Sequence, residues 1–426
     1  MPIDLGLSRV ARLLGHLNNP HLHGFKSIHI AGTNGKGSTI TYLTSILTRA
    51  NIRNGRFVSP HMLYYNDSVC INNEVYPLKK FKNVSKLVME QNQQHKLGCT
   101  EFELLTVTAF KIFELENVDV AVIEVGLGGR LDATNVLEPF RNGGGVLATG
   151  ITKIGMDHES LLGNTLGEIA FEKAGIMKAG IPCVVDRSND KEVLDVIKAK
   201  SEEMEAPLWF ADGLDSSTPP LVDMEEFNDI YKLSPLHGDY QKQNLSIALT
   251  ILRILNRKHF GDKLTTQIMS EGIKQTKWHG RLQHLDIPNY NLSILLDGAH
   301  NESAAIELDK YLTQTYRDDT KGIIFIIALT KGKSALNLLK RITRKSDTII
   351  FTTFTQPDQM PWISSTDPKE LQGVGKEYVN DIHCMENADI SETLNYVGLL
   401  RLKGDSRPIV ACGSLYLCSD ILRTNI

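Results

Sequence analysis

A glycine-rich turn that carries one lysine stands near the start of the chain. It reads Gly32-Thr33-Asn34-Gly35-Lys36-Gly37-Ser38 and follows the largely apolar segment 28–31. Glycines let backbone N–H groups crowd an anion, the lysine adds positive charge, and a helix that begins at Ser38 would direct its positive end to the same place. These residues predict a phosphate-binding loop. Gly37 separates the lysine from the hydroxyl, which departs from the usual P-loop spacing and favours a narrower group of ATP users over GTPases and kinases.

Side chains able to bind a cation follow three further apolar segments. Ser59 follows the segment 56–58, Glu124 ends the segment that starts at 120, and Asp157-His158 stands just past the segment 146–154. Ligands in open α/β sheets bind beyond the carboxyl ends of the strands, so we expect these side chains to share one site with the glycine-rich turn. Mg²⁺ prefers oxygen ligands and suits Ser59 and Glu124 better than His158. Taken singly, a helix cap, a salt bridge and a hydrogen-bonded histidine are the structural alternatives.

Three other positions could take part in chemistry, and each has an ordinary structural alternative. Lys173 lies in a predicted helix over residues 165–179 capped by Asn164, where a lysine is expected to be solvated. Phe102 is expected in the core, although it could line a pocket for a flat ring. The string Asp297-Gly298-Ala299-His300-Asn301 follows a strand and could bind a polar ligand, with a plain turn as the alternative.

Strand-like apolar segments alternate with segments of helical periodicity along most of the chain. This alternation is typical of parallel sheets covered by helices on both faces and predicts the α/β class. The predicted strands are 28–31, 56–58, 119–125, 146–154, 292–296, 322–329, 348–351 and 408–412. Polar residues in the segment 282–290, with Pro288, indicate a domain boundary. We therefore predict a P-loop-type, mostly parallel sheet domain over residues 1–286 and a smaller Rossmann-like α/β domain over residues 290–426.

Composition argues against several classes of partner. The 426 residues carry 46 Lys and Arg against 50 Asp and Glu, a net charge of −4, so no broad basic surface is expected for nucleic acid or anionic lipid. The longest apolar run, 323–329, is far shorter than the roughly 20 residues of a membrane span. Six cysteines without a C-x-x-C pair indicate reduced thiols, and the N-terminus lacks the pattern of a targeting peptide. We expect a cytoplasmic monomer, with a mitochondrial pool left open.

Several longer strings occur together in one order. They are GTNGKGS at 32–38, SPH at 59–61, EVGLGGRLDATN at 124–135 and DGAHN at 297–301. With them the chain resembles the folylpolyglutamate synthase and dihydrofolate synthase family, relatives of the Mur ligases. Further matching strings span nearly the whole chain: ITKIGMDH at 151–158, EKAGI at 172–176, Gln241 and Asn244, GRL at 280–282, and GSLY at 413–416.

The resemblance implies an ATP-dependent ligase that joins L-glutamate to a pterin-linked carboxylate, with a Mur ligase-like central domain and a C-terminal glutamate ligase domain. Mg²⁺ is the implied cofactor, with a monovalent cation as a further candidate. The implied ATP contacts are Gly32, Thr33, Asn34, Gly35, Lys36, Gly37, Ser38, Asn244, Arg281 and Asp297. The implied metal ligands are Ser59, Glu124 and His158, and the implied catalytic residues are Lys36, Lys173, His158 and Arg281. The implied pterin contacts are Leu5, Gly6, Leu7, Phe102 and Asp132, and those for glutamate are His300 and Ser414. Lys173 matches a lysine that is carbamylated in this family.

Two positions and one segment bear on which acceptor is used. Asn34 and Leu131 stand where eukaryotic polyglutamate synthases often have lysine and tyrosine, and the segment 3–7 is similar to the opening of chains that accept dihydropteroate. The resemblance thus favours 7,8-dihydropteroate as the partner of ATP and L-glutamate. A polyglutamate or bifunctional synthase is the first alternative, followed by a Mur-type ligase and then a nucleotide switch, which the missing N-K-x-D motif opposes. The chain departs from the family at Tyr240 and His279, and its aromatic pair at Phe102 is reduced.

Overall fold

The computed structural model describes residues 6–211, 223–317, 321–385 and 389–425, which form two compact units. The first comprises the described residues of Met1–His61, Asn66–Pro235 and Tyr240–Lys277. The second comprises those of Met62–Tyr65, Leu236–Asp239 and Trp278–Ile426. Leu5, an expected pterin contact, lies outside the described residues.

An eight-stranded sheet organises the first unit. Its strands are β1 Lys26–Ala31, β2 Asn54–Phe57, β3 Val69–Ile71, β4 Glu74–Val75, β5 Val120–Glu124, β6 Gly145–Ile151, β7 Cys183–Val185 and β8 Leu208–Phe210. They lie in the order β4-β3-β2-β5-β1-β6-β7-β8, and only the pairings of β3 are antiparallel. The central strand β1 has parallel neighbours on both sides, and its residues from Ser27 onward are buried. The carboxyl ends of β1, β2, β5 and β6 therefore meet at one edge of the sheet.

Helices cover both faces of this sheet. They are α1 Ser8–His16, α2 Pro20–His23, α3 Lys36–Arg49, α4 Leu78–Gln94, α5 Glu101–Leu115, α6 Glu159–Leu162, α7 Leu166–Ala174, α8 Lys191–Glu203, α9 Met224–Tyr231, α10 Gln241–His259 and α11 Thr266–Lys274. Short 3-10 helices occupy Tyr65–Ser68, Ala133–Val136 and, in the second unit, Pro288–Tyr290. The expected cap of α7 was wrong by one residue. Thr165, not Asn164, accepts from the Glu168 N–H, and the Glu168 carboxylate accepts in return from the Thr165 N–H.

The second unit is built on a six-stranded sheet. Its strands are β9 Gln283–Ile287, β10 Leu292–Leu296, β11 Ile324–Ile327, β12 Thr348–Phe351, β13 Asp381–Cys384 and β14 Ile409–Cys412. They lie in the order β13-β12-β11-β14-β10-β9, and all pairings are parallel except that of β9 with β10. The helices of this unit are α12 Glu302–Thr315, α13 Ala335–Ile342, α14 Pro368–Gly375, α15 Ile390–Leu402 and α16 Leu415–Arg423. The predicted α/β class and the mostly parallel sheets are confirmed.

The position in the chain at which the first unit ends and the second begins differs from the predicted boundary at residues 286–290. The units change at Lys277, and the polar segment expected to form a break contains the edge strand β9. In β9 the exposed residues His284 and Asp286 alternate with more buried neighbours. An edge strand with one solvated face carries polar residues at every second position, which makes it resemble a linker in sequence.

The structure also bears on membrane-spanning helices and on the cysteines. Among the described residues, no helix combines the length and apolar character needed to cross a bilayer. All six cysteines are free, and all but Cys384 are buried.

Candidate active site

The glycine loop, residues 32–38, connects β1 to the first turn of α3. Gly32 has a φ of +148°, and a Cβ there would lie 1.8 Å from the Thr152 hydroxyl. Gly35 has a φ of +95°, and a Cβ there would lie 2.2 Å from Asn244 Oδ1. Only glycine tolerates both the backbone conformation and the close approach. The loop thus leads into the first turn of α3, where the N–H groups of a helix have no partner within the helix, a suitable site for phosphate.

The first turn of α10 braces this loop through buried amides. Asn244 Nδ2 donates to Gln241 Oε1 at 2.9 Å, and Gln241 Nε2 donates to the Ser38 hydroxyl at 3.3 Å. The Thr39 hydroxyl donates to the Asn244 carbonyl at 3.4 Å. Asn244, an expected ATP contact, therefore lies directly against the loop. The role of Gln241 as a brace was missed, because the contact joins residues about 200 positions apart in the chain.

Two lysines converge on one backbone carbonyl of the loop. Gly32 O accepts from Lys36 Nζ at 3.2 Å and from Lys173 Nζ at 2.9 Å. Lys36 Nζ also lies 3.7 Å from Glu124 Oε1. A lysine in this helix was expected to be solvated. That expectation was wrong, because Lys173 is only 5% exposed. The structure thus gathers two lysine amines and one carboxylate at the carboxyl ends of β1 and β5.

Burial changes the chemistry of the Lys173 amine. Loss of solvent and, secondarily, the charge of Lys36 lower its pKa to about 7, while Asp157 and Asp132 act in the opposite direction. Near neutral pH a substantial fraction of the amine is therefore uncharged and nucleophilic. The sequence offered Asp157-His158 together at this strand end, but only His158 was given a metal role, and the influence of Asp157 on Lys173 was not foreseen.

Glu124 and Ser59 form the part of the site best suited to a metal. The Glu124 side chain is buried, and its Oε2 accepts from the Ser59 backbone N–H at 3.4 Å. Mg²⁺ keeps waters and substrate phosphates among its ligands, so a carboxylate and a hydroxyl are a suitable protein contribution. His158 has a 46% exposed side chain and lies 4.0 Å from Asp157. Within the described ranges, no three His, Cys, Asp or Glu residues form a cluster able to hold a metal ion.

The elements that carry the expected pterin contacts pack together. Helix α1, whose N-cap is Leu7 and which Gly6 precedes, contacts α5 and the 3-10 helix at 133–136. Phe102, on α5, stacks on Phe57 with ring centroids 6.1 Å apart, and a Cβ on Gly126 would lie 2.3 Å from its ring. Asp132 is buried, and its oxygens accept from the N–H groups of Leu127 at 2.8 Å and Thr134 at 3.0 Å. Burial raises the pKa of Asp132, and these hydrogen bonds oppose the rise.

The second unit holds the other expected site residues at the carboxyl ends of β10 and β14. Asp297 accepts from the N–H groups of Leu282 and Ala299, each at 2.9 Å. Leu282 has a φ of +44°, which is rare for a leucine. Asp297 thus fixes the strained residue that follows Arg281. The Arg281 guanidinium donates to the Gly280 carbonyl at 3.1 Å.

The two expected glutamate contacts lie near the same strand ends. His300 Nδ1 lies 2.8 Å from the Gly298 carbonyl, so this nitrogen carries the proton. The Ser414 hydroxyl caps α16 by accepting from the Tyr416 N–H at 3.1 Å. The backbone joins the two ends, since Gly413 N–H donates to the Ala299 carbonyl at 2.9 Å.

Comparisons with known proteins find relatives that match most of this chain. A family model described as "Dihydrofolate synthetase, C-terminal domain" matches residues 280–424. The dihydrofolate synthetase of Saccharomyces cerevisiae is 42% identical over 439 residues, covering 99% of this chain and 98% of that protein. The probable dihydrofolate synthetase of Schizosaccharomyces pombe is 40% identical over 427 residues and covers 99% of each. The crystal structure of folylpolyglutamate synthase from Mycobacterium tuberculosis, complexed with ADP and AMPPCP, is 24% identical with a TM-score of 0.80, covering 98% and 95% of the two chains. This last likeness supports the fold.

Proposed function

The chain belongs to the folylpolyglutamate synthase and dihydrofolate synthase family, and we propose that it joins L-glutamate to 7,8-dihydropteroate in an ATP-dependent reaction that yields 7,8-dihydrofolate. The observation that carries the proposal is the convergence of Lys36 and Lys173 on the Gly32 carbonyl, beside the Glu124 carboxylate. This arrangement suits phosphoryl transfer at a helix N-terminus. Similarity to two dihydrofolate synthetases over 99% of the chain supports the choice of acceptor.

The chemistry follows from the weakness of a carboxylate as an acyl donor. A carboxylate oxygen of dihydropteroate attacks the γ-phosphorus of ATP, ADP leaves, and an acyl phosphate forms. The glutamate amine then attacks the acyl carbon, the C–O bond to phosphate breaks, and the amine loses a proton. Lys36 and the N–H groups of the glycine loop would stabilise charge on the transferring phosphoryl group. Glu124 and Ser59 would hold Mg²⁺, which would neutralise phosphate charge when bound.

The remaining expected residues take their roles in the same proposal. The uncharged Lys173 amine can attack CO₂ to give a carbamate and a released proton, and the carbamate would supply an anionic oxygen ligand in place of the amine. His158 remains a proposed third metal ligand. In the second unit, Arg281 and Asp297 are proposed to serve ATP, and His300 and Ser414 to serve glutamate. Gly6, Leu7, Phe102 and Asp132 are proposed to serve the pterin.

The test is acceptor-dependent release of phosphate. The purified chain is assayed with ATP, Mg²⁺ and glutamate, with either dihydropteroate or tetrahydrofolate as the acceptor. We expect phosphate release with dihydropteroate as the acceptor. In Lys36→Ala the rate of phosphate release should fall by at least about 100-fold, because the variant lacks a charge that stabilises the transition state. The control is Lys80→Ala, whose lysine is exposed on α4.

Each outcome of this assay has a distinct meaning. Equal turnover with tetrahydrofolate would favour a polyglutamate or bifunctional synthase. No acceptor-dependent release, or an unchanged Lys36→Ala variant with the native melting temperature, would contradict the proposed ligase.

We also propose a monomer in the cytoplasm. Six free thiols are usual in a reducing compartment, where disulfides are rare. Light scattering would give a mass near 47.5 kDa for the monomer, and fractionation of cells would report the compartment.

A further inference from the structure

A histidine lies at the centre of the first sheet, below the glycine loop. His29 is in the middle of β1, fully buried, paired in register with Ile123 of β5 and Thr149 of β6. Its Nε2 lies 2.7 Å from the Thr134 hydroxyl. Burial and the charge of Lys178 lower the pKa of His29 to about 3, so the ring is neutral at any physiological pH.

The hydrogen bonds of Asp132 determine which ring nitrogen of His29 carries the proton. The Thr134 hydroxyl lies 2.5 Å from Asp132 Oδ1, and each carboxylate oxygen also faces a backbone N–H. An ionised carboxylate satisfies all these donors, so the Thr134 hydroxyl donates to it. The hydroxyl oxygen then accepts from His29 Nε2–H. Nδ1 is left as a bare acceptor, and no hydrogen-bond partner for it occurs among the described residues.

This buried chain of hydrogen bonds ends in the loop that follows β5, residues 126–135. The loop contacts Phe102 at Gly126 and joins the end of α7 through Arg130 N–H, which donates to the Glu172 carbonyl at 2.8 Å. His29 is thus linked to the 126–135 loop through Thr134 from a fully buried position in the sheet. It reaches no surface, so a role as an acid or base toward substrate is excluded by its burial.

We propose that His29 is a positioning residue for the acceptor substrate, acting through Thr134 to orient the Asp132 carboxylate and the 126–135 loop toward the pterin. The inference rests on the proposed function, because it takes Asp132 and Phe102 as pterin contacts. The inference gives a role to a residue of β1 that belongs neither to the glycine loop nor to the proposed metal ligands.

The kinetic test compares two substitutions that differ in the retained donor. Glutamine places an N–H near the position of Nε2, whereas leucine removes it. We expect His29→Leu to raise KM for dihydropteroate about tenfold or more, with KM for ATP and kcat within about threefold of wild type, and His29→Gln to recover most of the loss. Ser27→Ala is the matched control, because Ser27 is also fully buried on β1 and should leave KM unchanged.

A second pair of variants breaks the chain of hydrogen bonds at Thr134, which keeps the test usable if His29→Leu does not fold. Thr134→Val removes the hydroxyl and Thr134→Ser keeps it, so the valine variant alone should raise KM for dihydropteroate. Equal rises in both KM values, a fall in kcat alone, or no difference between the paired variants would overturn the proposal.

An independent measurement needs no turnover. In nitrogen-15 NMR of the histidine side chains, the His29 ring is identified by the signals that His29→Gln lacks; this ring should be neutral, protonated at Nε2 and without titration from pH 5 to 9, and Thr134→Val should shift its signals. A His29 ring protonated at Nδ1, or one that titrates near pH 6.5, would contradict the inference. These spectra separate its failure from failure of the proposed function, which the phosphate-release assay of the wild type decides.

Discussion

At the scale of single residues, Lys173 shows how burial alters both reactivity and stability. Its folded-state pKa of about 7 lies well below the value of about 10.4 expected in the unfolded chain. Between these values the unfolded state binds more protons than the folded state, so the free energy of unfolding rises with pH. Below pH 7 the full cost of burying the amine is present, and it disappears as the pH rises through the unfolded-state pKa.

This linkage predicts the behaviour of Lys173→Met in CO₂-free buffer. At pH 7 the variant should have a higher free energy of unfolding than wild type, by on the order of 2 kcal/mol after the lost hydrogen bond to Gly32 is allowed for. The difference should shrink as the pH rises from 7 to about 10.4, because only above the unfolded-state pKa is the wild-type amine neutral in both states. Urea unfolding across this pH range measures it, with Lys86→Met, an exposed lysine on α4, as the control.

Carbon dioxide provides the second arm of this prediction. With ¹³C-labelled bicarbonate, the wild type should show a carbamate carbon signal that Lys173→Met lacks. A Lys173→Met variant less stable than wild type at every pH, or a wild type without the carbamate signal, would contradict the respective part of the argument.

At the scale of elements, the brace formed by α10 links affinity for ATP to a helix distant in sequence. Asn244→Ala should remove the amide that contacts Gln241 and Gly35 and should raise KM for ATP by about tenfold, because the glycine loop loses its fixed geometry. Asn256→Ala is the matched control. It makes the same substitution on the same helix and removes two hydrogen bonds, both of which join Asn256 to Leu264. Both variants should lower the melting temperature, and only the first should change KM for ATP. Equal effects on KM would show that general destabilisation is responsible.

Elements also show how far the sequence could predict this molecule. The glycine loop and β1 were predictable because a turn, its lysine and the preceding apolar strand are local features. Strand β9 was not, because the alternation of an edge strand resembles a polar linker, and β13, with its similarly exposed Asp381, gave no apolar run. The burial of Lys173 and the link from His29 to Thr134 depend on contacts between distant segments, 141 and 105 residues apart, which no local pattern encodes.

At the scale of the whole molecule, the proposed ATP contacts are divided between the two units. The glycine loop and Asn244 belong to the first unit, and Arg281 and Asp297 to the second. If all of them serve one nucleotide, binding must slow amide hydrogen exchange in both units, because exchange reports local opening wherever contacts form. We expect a non-hydrolysable ATP analogue with Mg²⁺ to slow exchange about tenfold or more at residues 32–39 and 241–244, and also at 280–299. Strand β12, which carries none of these residues, serves as the internal reference.

In Lys36→Ala, the protection from amide hydrogen exchange should be lost in both units together. Protection confined to the first unit in the wild type would show that Arg281 and Asp297 do not serve the nucleotide, while leaving the phosphate site at the glycine loop intact.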